Sequence, residues 1–244
     1  MGSWLLFKLL PAGVWRRLFQ DWLQTLASQE AKIAMHRLLE VESDLAGAID
    51  QVALRYDNGV HVKHRLMRYH DFFIERIQAG ERVLDIGCGK GELAYDIAVQ
   101  AKAFVTGIDF DANHLSFAKS NFKHSHLAWI EGDALDYPFT ESFDVVVLSN
   151  VLEHIEQRVE FLQGVQKRID PQRFLIRVPA IDRHWLVPLR KELGLFYFSD
   201  RTHYTEYTKN SFEAELRAAN LEIVCCQFNW GEIWAEAKSK VLAS

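Results

Sequence analysis

The chain has 244 residues, 28 lysines and arginines against 33 aspartates and glutamates (a formal charge of -5), and 49% of it is hydrophobic. That length and balance build one large domain, or a domain with an extension, and exclude disordered, collagen-like and low-complexity scaffolds. An acidic chain exerts no general pull on phosphate backbones, so nucleic acid is not an expected partner. Three cysteines, two of them adjacent (Cys225 and Cys226), make no disulfide framework and fit a reducing, cytoplasmic compartment.

No apolar run approaches the roughly eighteen residues that cross a bilayer. The nearest, Trp4 to Leu10, stops at Pro11 and lacks the charged start and small-residue cleavage site of a signal peptide. From Pro11, apolar residues recur at Val14, Trp15, Leu18, Phe19, Trp22, Leu23 and Leu26, a three-four spacing that predicts an amphipathic helix. Lys8, Arg16 and Arg17 precede the first acid, Asp21. Residues 1–26 are therefore expected to pack in a core or a homodimer, or to lie peripherally on a membrane. A second helix carries Ile33, Leu38, Leu39, Val41, Leu45 and Ile49, and a polar break at Asp57-Asn58-Gly59 leads into a basic, aromatic segment from His61 to Phe73. With no strand-like alternation before it ends, 1–79 is a helical N-terminal extension and 80–244 the main domain.

From there the pattern changes. Short apolar runs at Val83–Ile86, Phe104–Ile108, Leu127–Glu131, Val145–Leu148 and Arg173–Val178 alternate with helical stretches at Glu92–Gln100, Ala112–Asn121 and Val151–Arg168. Such alternation predicts right-handed crossovers and a parallel sheet covered on both faces. Thr208 is placed to cap a further helix, and Leu221–Phe228 and Trp230–Ala237 predict a closing antiparallel pair, with one of Cys225 and Cys226 facing inward and the other outward.

The segment VLDIGCGKGELA, residues 83–94, runs a strand into Gly87, Gly89 and Gly91 and then into a helix. Glycines accept positive φ and let the backbone approach a ligand, and the helix start offers free N–H groups. Glu92 stands where a dinucleotide fingerprint needs its third glycine, and its carboxylate repels a diphosphate, which argues against an NAD-linked oxidoreductase. Asp85, two residues before the first glycine, can meet a cationic ligand, and Asp109 at the end of VTGID can accept both hydroxyls of a ribose.

Together with WIEGDALDYPF and FDVVVLSNVLEHI, these segments resemble, in order, the motifs of class I S-adenosylmethionine-dependent methyltransferases, in particular the small-molecule (type 11-like) branch, over roughly residues 80–237. The resemblance implies a Rossmann-like α/β fold: a seven-stranded, mostly parallel sheet with an antiparallel last strand, behind the helical extension. It places Asp85, Gly87, Gly89 and Gly91 around the methionine part of S-adenosylmethionine, Asp109 at its ribose, and Phe110 beside its adenine. Asp133 and the Ala134 backbone go to the adenine edge, and Ser149, Asn150 and Val151 near the transferred methyl. The implied reaction is in-line methyl transfer to an oxygen, nitrogen or carbon of a small-molecule or lipid-like acceptor. The extension would serve as a lid, with Tyr56, His64 or Tyr69 reaching inward. Residues 183–208 would line the acceptor pocket. His154, His203 and Tyr204 are the candidate catalytic residues, either histidine being a base where one is needed, and Tyr207 is a further candidate contact. No metal is expected, because no tight cluster of histidines and carboxylates occurs at ligand spacing along the chain. A cofactor-binding protein without transferase activity and a macromolecular methyltransferase share the same motifs.

Overall fold

The computed structural model describes residues 11–57 and 61–240, which divide into two units. One runs to Val62 and takes in Arg190–Phe196; the other comprises Lys63–Leu189 and the chain from Tyr197 onward. In the first, α1 (Ala12–Ala27) closes on Ser28, and the Glu30 carboxylate caps α2 (Ala31–Tyr56) by accepting the N–H groups of Lys32 and Ile33. Leu26, Ala34 and Leu39 are buried, and Arg190 donates to the Leu39 carbonyl at 2.7 Å and to Glu42 at 2.6 Å. The expected stripe of α1 forms, yet Val14, Trp15, Leu18, Phe19 and Trp22 on it are exposed. The Trp4–Leu10 run and Asn58-Gly59 of the polar break lie outside the described residues.

The second unit opens with two short helices, α3 (Lys63–Met67) and α4 (Tyr69–Ile74), separated by Arg68 in the left-handed region at φ 51°. The sheet follows: β1 (Arg82–Ile86), β2 (Phe104–Asp109), β3 (Leu127–Glu131), β4 (Val145–Ser149), β5 (Arg173–Pro179), β6 (Leu221–Asn229) and β7 (Glu232–Ser239). Its order is β3-β2-β1-β4-β5-β7-β6; β7 runs antiparallel to both its neighbours and every other pairing is parallel. Helices α5 (Glu92–Asp96), α6 (Ala112–Asn121), α7 (Arg158–Ile169) and α9 (Lys209–Ala218) complete the unit, and α8 (Leu186–Glu192) begins in it and ends in the first. The α9 start is the predicted one, with the Thr208 side chain accepting from Ser211 in a capping box.

Three local expectations are corrected. The stretch Glu92–Gln100 is α-helical only to Asp96 and continues as a wider π turn, Ile97–Ala101. Val151–Arg168 is not one helix: a 3-10 turn, Leu152–His154, is followed by extended backbone at Ile155 before α7 begins. Cys225 and Cys226 do point to opposite faces, but neither faces outward: Cys226 packs against the core shared with α7 and α9, and Cys225 receives the Arg76 guanidinium at 3.9 Å on the face of α4. A register shift between Ile223 and Cys225 pushes Val224 into solvent and leaves both cysteines half-buried.

Alternation along the strands explains the two cores. Leu84, Val146, Leu148, Phe174 and Ile176 pack with Leu162 and Val165 of α7 and Phe212 and Leu216 of α9 on one face. Val83, Val105, Val145, Val147 and Leu175 face the other way, against Phe72 and Phe73 of α4, Ile77, and Leu93 and Ile97. Each large side chain so buried contributes about 1.5–3 kcal/mol. The strand order reverses between β1 and β4, and the loops leaving the carboxyl ends of those two strands flank the crevice where open α/β sheets take their ligands.

Candidate active site

The loop leaving β1 is folded by its own backbone. Gly87 and Cys88 both donate to the Ile108 carbonyl, at 2.8 and 3.1 Å, and the Gly91 N–H closes the turn on Cys88 at 3.0 Å. Gly91 caps α5 at φ 89°, and a β-carbon there would meet the Trp129 ring. Gly89 also has positive φ, 54°, but the space a β-carbon would occupy is open. Its N–H donates to Asp109 Oδ2 at 2.8 Å, while Asp109 Oδ1 accepts from Asp111 N–H at 2.8 Å. Asp109 is thus a buried carboxylate with lone pairs to spare.

Asp85 lies behind this loop, 2% exposed, with Oδ2 touching no donor. Burial, then repulsion from Asp109, pushes its pKa up to about 8. Burial likewise raises the Cys88 thiol, which packs as a small apolar group. Phe110 is exposed beside Asp109, and Asp133 is exposed at the end of β3, accepting the Leu135 N–H at 2.8 Å, with Ala134 half-buried.

The loop leaving β4 supplies a second set. Asn150 has φ 58°, its N–H donates to the Arg177 carbonyl at 2.8 Å, and its buried Oδ1 finds no donor. A β-carbon on Gly87 would sit 2.8 Å from Val151 Cγ2, so the two loops touch at Val151. Glu153 follows, wholly buried, with neither carboxylate oxygen hydrogen-bonded. Burial pushes its pKa up to about 8, against the pull of its own backbone N–H and of Arg177.

Residues 199–207 fold over that loop. Tyr204 N–H donates to the Glu153 carbonyl at 2.8 Å, which brings His203 against His154, their ring centroids 4.6 Å apart. Glu206 anchors the segment: it accepts from Ser199, from His203 Nδ1 at 3.0 Å and from Arg183. Burial works to raise the Glu206 pKa, but those donors hold it below the usual carboxylate range. Tyr204 is exposed, whereas Tyr207 is buried and donates to Glu215 Oε1 at 2.6 Å, so its hydroxyl serves the core.

Behind the sheet end, the Tyr69 ring lies 3.7 Å from the Arg177 guanidinium, and its hydroxyl shares a 2.9 Å hydrogen bond with His64. Arg177 pairs with Glu232 through two 2.6 Å contacts and donates to Ser149. His70 bonds Asp96 at 2.6 Å and buries an unpartnered Nε2.

The fold therefore gathers Asp85, Gly87, Gly89, Gly91 and Asp109 around one loop, and His154 and His203 around another. Sequence reasoning missed Glu153 and Arg177, and it named Thr202 and Glu206 only as part of the 183–208 segment, without a role of their own. It also found no cluster of histidine and carboxylate, because it searched along the chain; the fold makes one across it, with donor atoms of Glu153, His154 and His203 within 4.8 Å of one another. The available signal was an adjacent acid and histidine, Glu153-His154, between the apolar Val151-Leu152 and Ile155.

Residues 77–236 match the family described as a methyltransferase domain. The chain is 32% identical over 115 residues to a 2-phytyl-1,4-naphtoquinone methyltransferase of Synechocystis, covering 44% of this chain and 47% of that one. It is 28% identical over 186 residues to the mitochondrial ubiquinone biosynthesis O-methyltransferase of Schizosaccharomyces pombe, covering 72% and 66%. The magnesium protoporphyrin IX methyltransferase of Synechocystis with bound SAH superposes with a TM-score of 0.58 at 18% identity, over 74% of this chain and 85% of that one, and shares the fold. The chain spans about half the length of the first relatives it matches, 47% and 58%.

Proposed function

This chain belongs to the methyltransferase domain family, and we propose that it moves a methyl group from S-adenosylmethionine to a small, lipid-like acceptor of quinone type. The observation that carries the reading is the open Gly89 turn, tied to Asp109 and backed by the orphaned Asp85 oxygen. A cationic ligand fits there: backbone close to it, a carboxylate beneath it and a second carboxylate with free lone pairs for a diol. The acceptor class is supported by the names of the quinone-modifying relatives and by the apolar stripe of α1.

S-adenosylmethionine, when bound, supplies an electrophilic methyl on a sulfonium centre. The protein's part is to orient both reactants and exclude water, and it needs no nucleophile of its own. Asp85, Gly87, Gly89 and Gly91 would hold the methionine part, Asp109 the ribose, Phe110, Asp133 and Ala134 the adenine, with Asn150 beneath. His154 and His203 supply the polar end of the acceptor site, with Tyr204 at its rim. Burial, then the neighbouring His203, lowers the His154 pKa, so His154 is neutral at pH 7 and able to take a proton.

The same reading makes residues 1–79 a helical extension whose last part, from Lys63, is built into the sheet unit. Its α1 stripe, with Arg16 and Arg17 alongside, lies on a membrane surface, or pairs two copies of the chain; among the described residues no helix is long and apolar enough to cross a membrane. The free thiols of Cys88, Cys225 and Cys226 support a reducing, cytoplasmic setting.

Calorimetric titration with S-adenosylmethionine and S-adenosylhomocysteine tests the cofactor, and transfer of labelled methyl to hydroxylated quinones of differing tail length tests the acceptor. Saturable binding with transfer to such acceptors is expected; a folded protein that binds neither nucleoside overturns the reading.

A further inference from the structure

Wholly buried, Glu153 carries a carboxylate to which no other residue donates a hydrogen bond. An unsatisfied buried acid is costly, and a structure retains one where something else completes it. What faces it is informative. The Thr202 hydroxyl donates its one hydrogen to Asp200 at 2.6 Å, so toward His154 Nδ1, 2.9 Å away, it can only accept. His154 therefore carries its proton on Nδ1 and leaves a lone pair on Nε2. His203 Nδ1 faces the Glu206 carboxylate at 3.0 Å, so it too donates, and its Nε2 is likewise the electron-pair atom. Two imidazoles are thus fixed in the tautomer that presents Nε2, each by an oxygen acceptor behind it, and one donor atom from each ring lies within 4.8 Å of the Glu153 carboxylate.

We propose that Glu153, His154 and His203 bind one divalent first-row metal ion, which takes a hydroxyl oxygen of the acceptor as a further ligand. Two imidazoles and one carboxylate leave coordination positions open, the pattern of a reactive rather than a structural ion. Rings held from behind by oxygen acceptors are the arrangement that sets ligand orientation in such sites. Bonds of about 2 Å bring donor atoms closer than 4.8 Å, a closure that small side-chain rotations supply. All three ligands belong to the sheet unit, and Glu153 lies two residues beyond Val151, which touches the glycine loop at Gly87.

Such an ion would replace a histidine base. As the acceptor oxygen ligates, its O–H bond breaks, the electron pair stays on oxygen and the proton passes to water, leaving the oxygen able to attack a methyl group. The inference rests on the methyl-transfer reading only for the acceptor, not for the ion.

The test uses the full chain stripped of metal and titrated with Mn²⁺, followed by paramagnetic resonance, and with Zn²⁺, followed by calorimetry; S-adenosylmethionine binding is measured on the same samples. Wild type is expected to take up one ion per chain. Glu153→Gln, which keeps shape and removes charge, and His203→Asn are expected to abolish saturable uptake while retaining S-adenosylmethionine binding. Thr202→Val, an exposed change, is expected to weaken uptake by about 10-fold or more by freeing the His154 ring. A wild type with no saturable uptake of either ion overturns the proposal, and so does equal uptake by Glu153→Gln. Loss of S-adenosylmethionine binding by wild type, with metal uptake intact, counts against the methyltransferase reading alone.

Discussion

Asp109 holds the glycine loop from below: its Oδ2 accepts the Gly89 N–H at 2.8 Å, across the gap between the ends of β1 and β2. One carboxylate thereby shapes the turn and keeps lone pairs for a ligand. Asp109→Asn retains an acceptor oxygen but loses the charge, and Asp109→Ala loses both. Hydrogen bonds to a charged group are worth about 1.5–3 kcal/mol each, so the alanine variant is expected to bind S-adenosylmethionine at least 10-fold more weakly, with asparagine between it and wild type. Equal calorimetric affinities in all three proteins would remove Asp109 from the site.

The raised pKa of Asp85, about 8, has two consequences of opposite sign. In the unfolded chain this carboxyl ionises near the ordinary value of 3.8, so between there and about 8 the folded protein binds more protons than the unfolded. Stability is therefore expected to fall as pH rises from 5 to 8, with an upper slope of about 1.4 kcal/mol per pH unit. Asp85→Asn should flatten that slope in thermal melts. Binding runs the other way. A sulfonium cation prefers the ionised carboxylate, so wild-type affinity for S-adenosylmethionine is expected to rise from pH 6 to 8 relative to the Asn variant, with protons released to the buffer on binding. A slope identical in wild type and Asp85→Asn would show that some other group governs both.

Gly89 and Gly91 share positive φ but not surroundings, and this separates folding from ligand contact. At Gly91 an added methyl meets the Trp129 ring and Ala118, so Gly91→Ala combines backbone strain of about 1–2 kcal/mol with overpacking of about 1–3 kcal/mol. At Gly89 only the backbone term applies. Urea unfolding is expected to show the Gly91 variant losing clearly more stability, while the Gly89 variant stays folded and loses S-adenosylmethionine affinity because its methyl occupies the open side of the turn. The reverse order of stability would contradict this packing.

Much of this architecture is written in local pattern. The sheet strands were legible because short apolar runs are broken by glycine, acid, serine or proline, and Thr208 announced α9 because a threonine accepting N–H bonds is a local event. The glycine loop and Asp109 could be read for the same reason: strand, turn and helix follow one another in the chain. What could not be read was non-local. Glu153 meets His203 only because the Tyr204 N–H docks on the Glu153 carbonyl, and nothing in either stretch encodes that bond. The break after His154 was missed because Val151–Arg168 keeps helical spacing through Ile155, while the backbone there is extended. Tyr207 looked like a pocket residue by its loop position, yet the charged neighbour that claims its hydroxyl, Glu215, is on α9.

The exposed stripe of α1 can be tested apart from catalysis. Val14, Trp15, Leu18, Phe19 and Trp22 lie on an amphipathic helix flanked by Arg16 and Arg17, a combination suited to an anionic lipid surface. Trp15→Glu and Trp22→Glu replace exposed apolar rings with charge, so neither should alter folding. Full burial of such a ring contributes about 1.5–3 kcal/mol, and partial insertion correspondingly less, so each variant is expected to reduce co-sedimentation with vesicles containing phosphatidylglycerol by roughly 10-fold. Salt should weaken wild-type binding through the arginines, and vesicles of phosphatidylcholine alone should bind less. If the stripe instead joins two copies of the chain, wild type will sediment as a dimer without lipid, the Trp variants as monomers, and vesicle binding will not depend on either tryptophan.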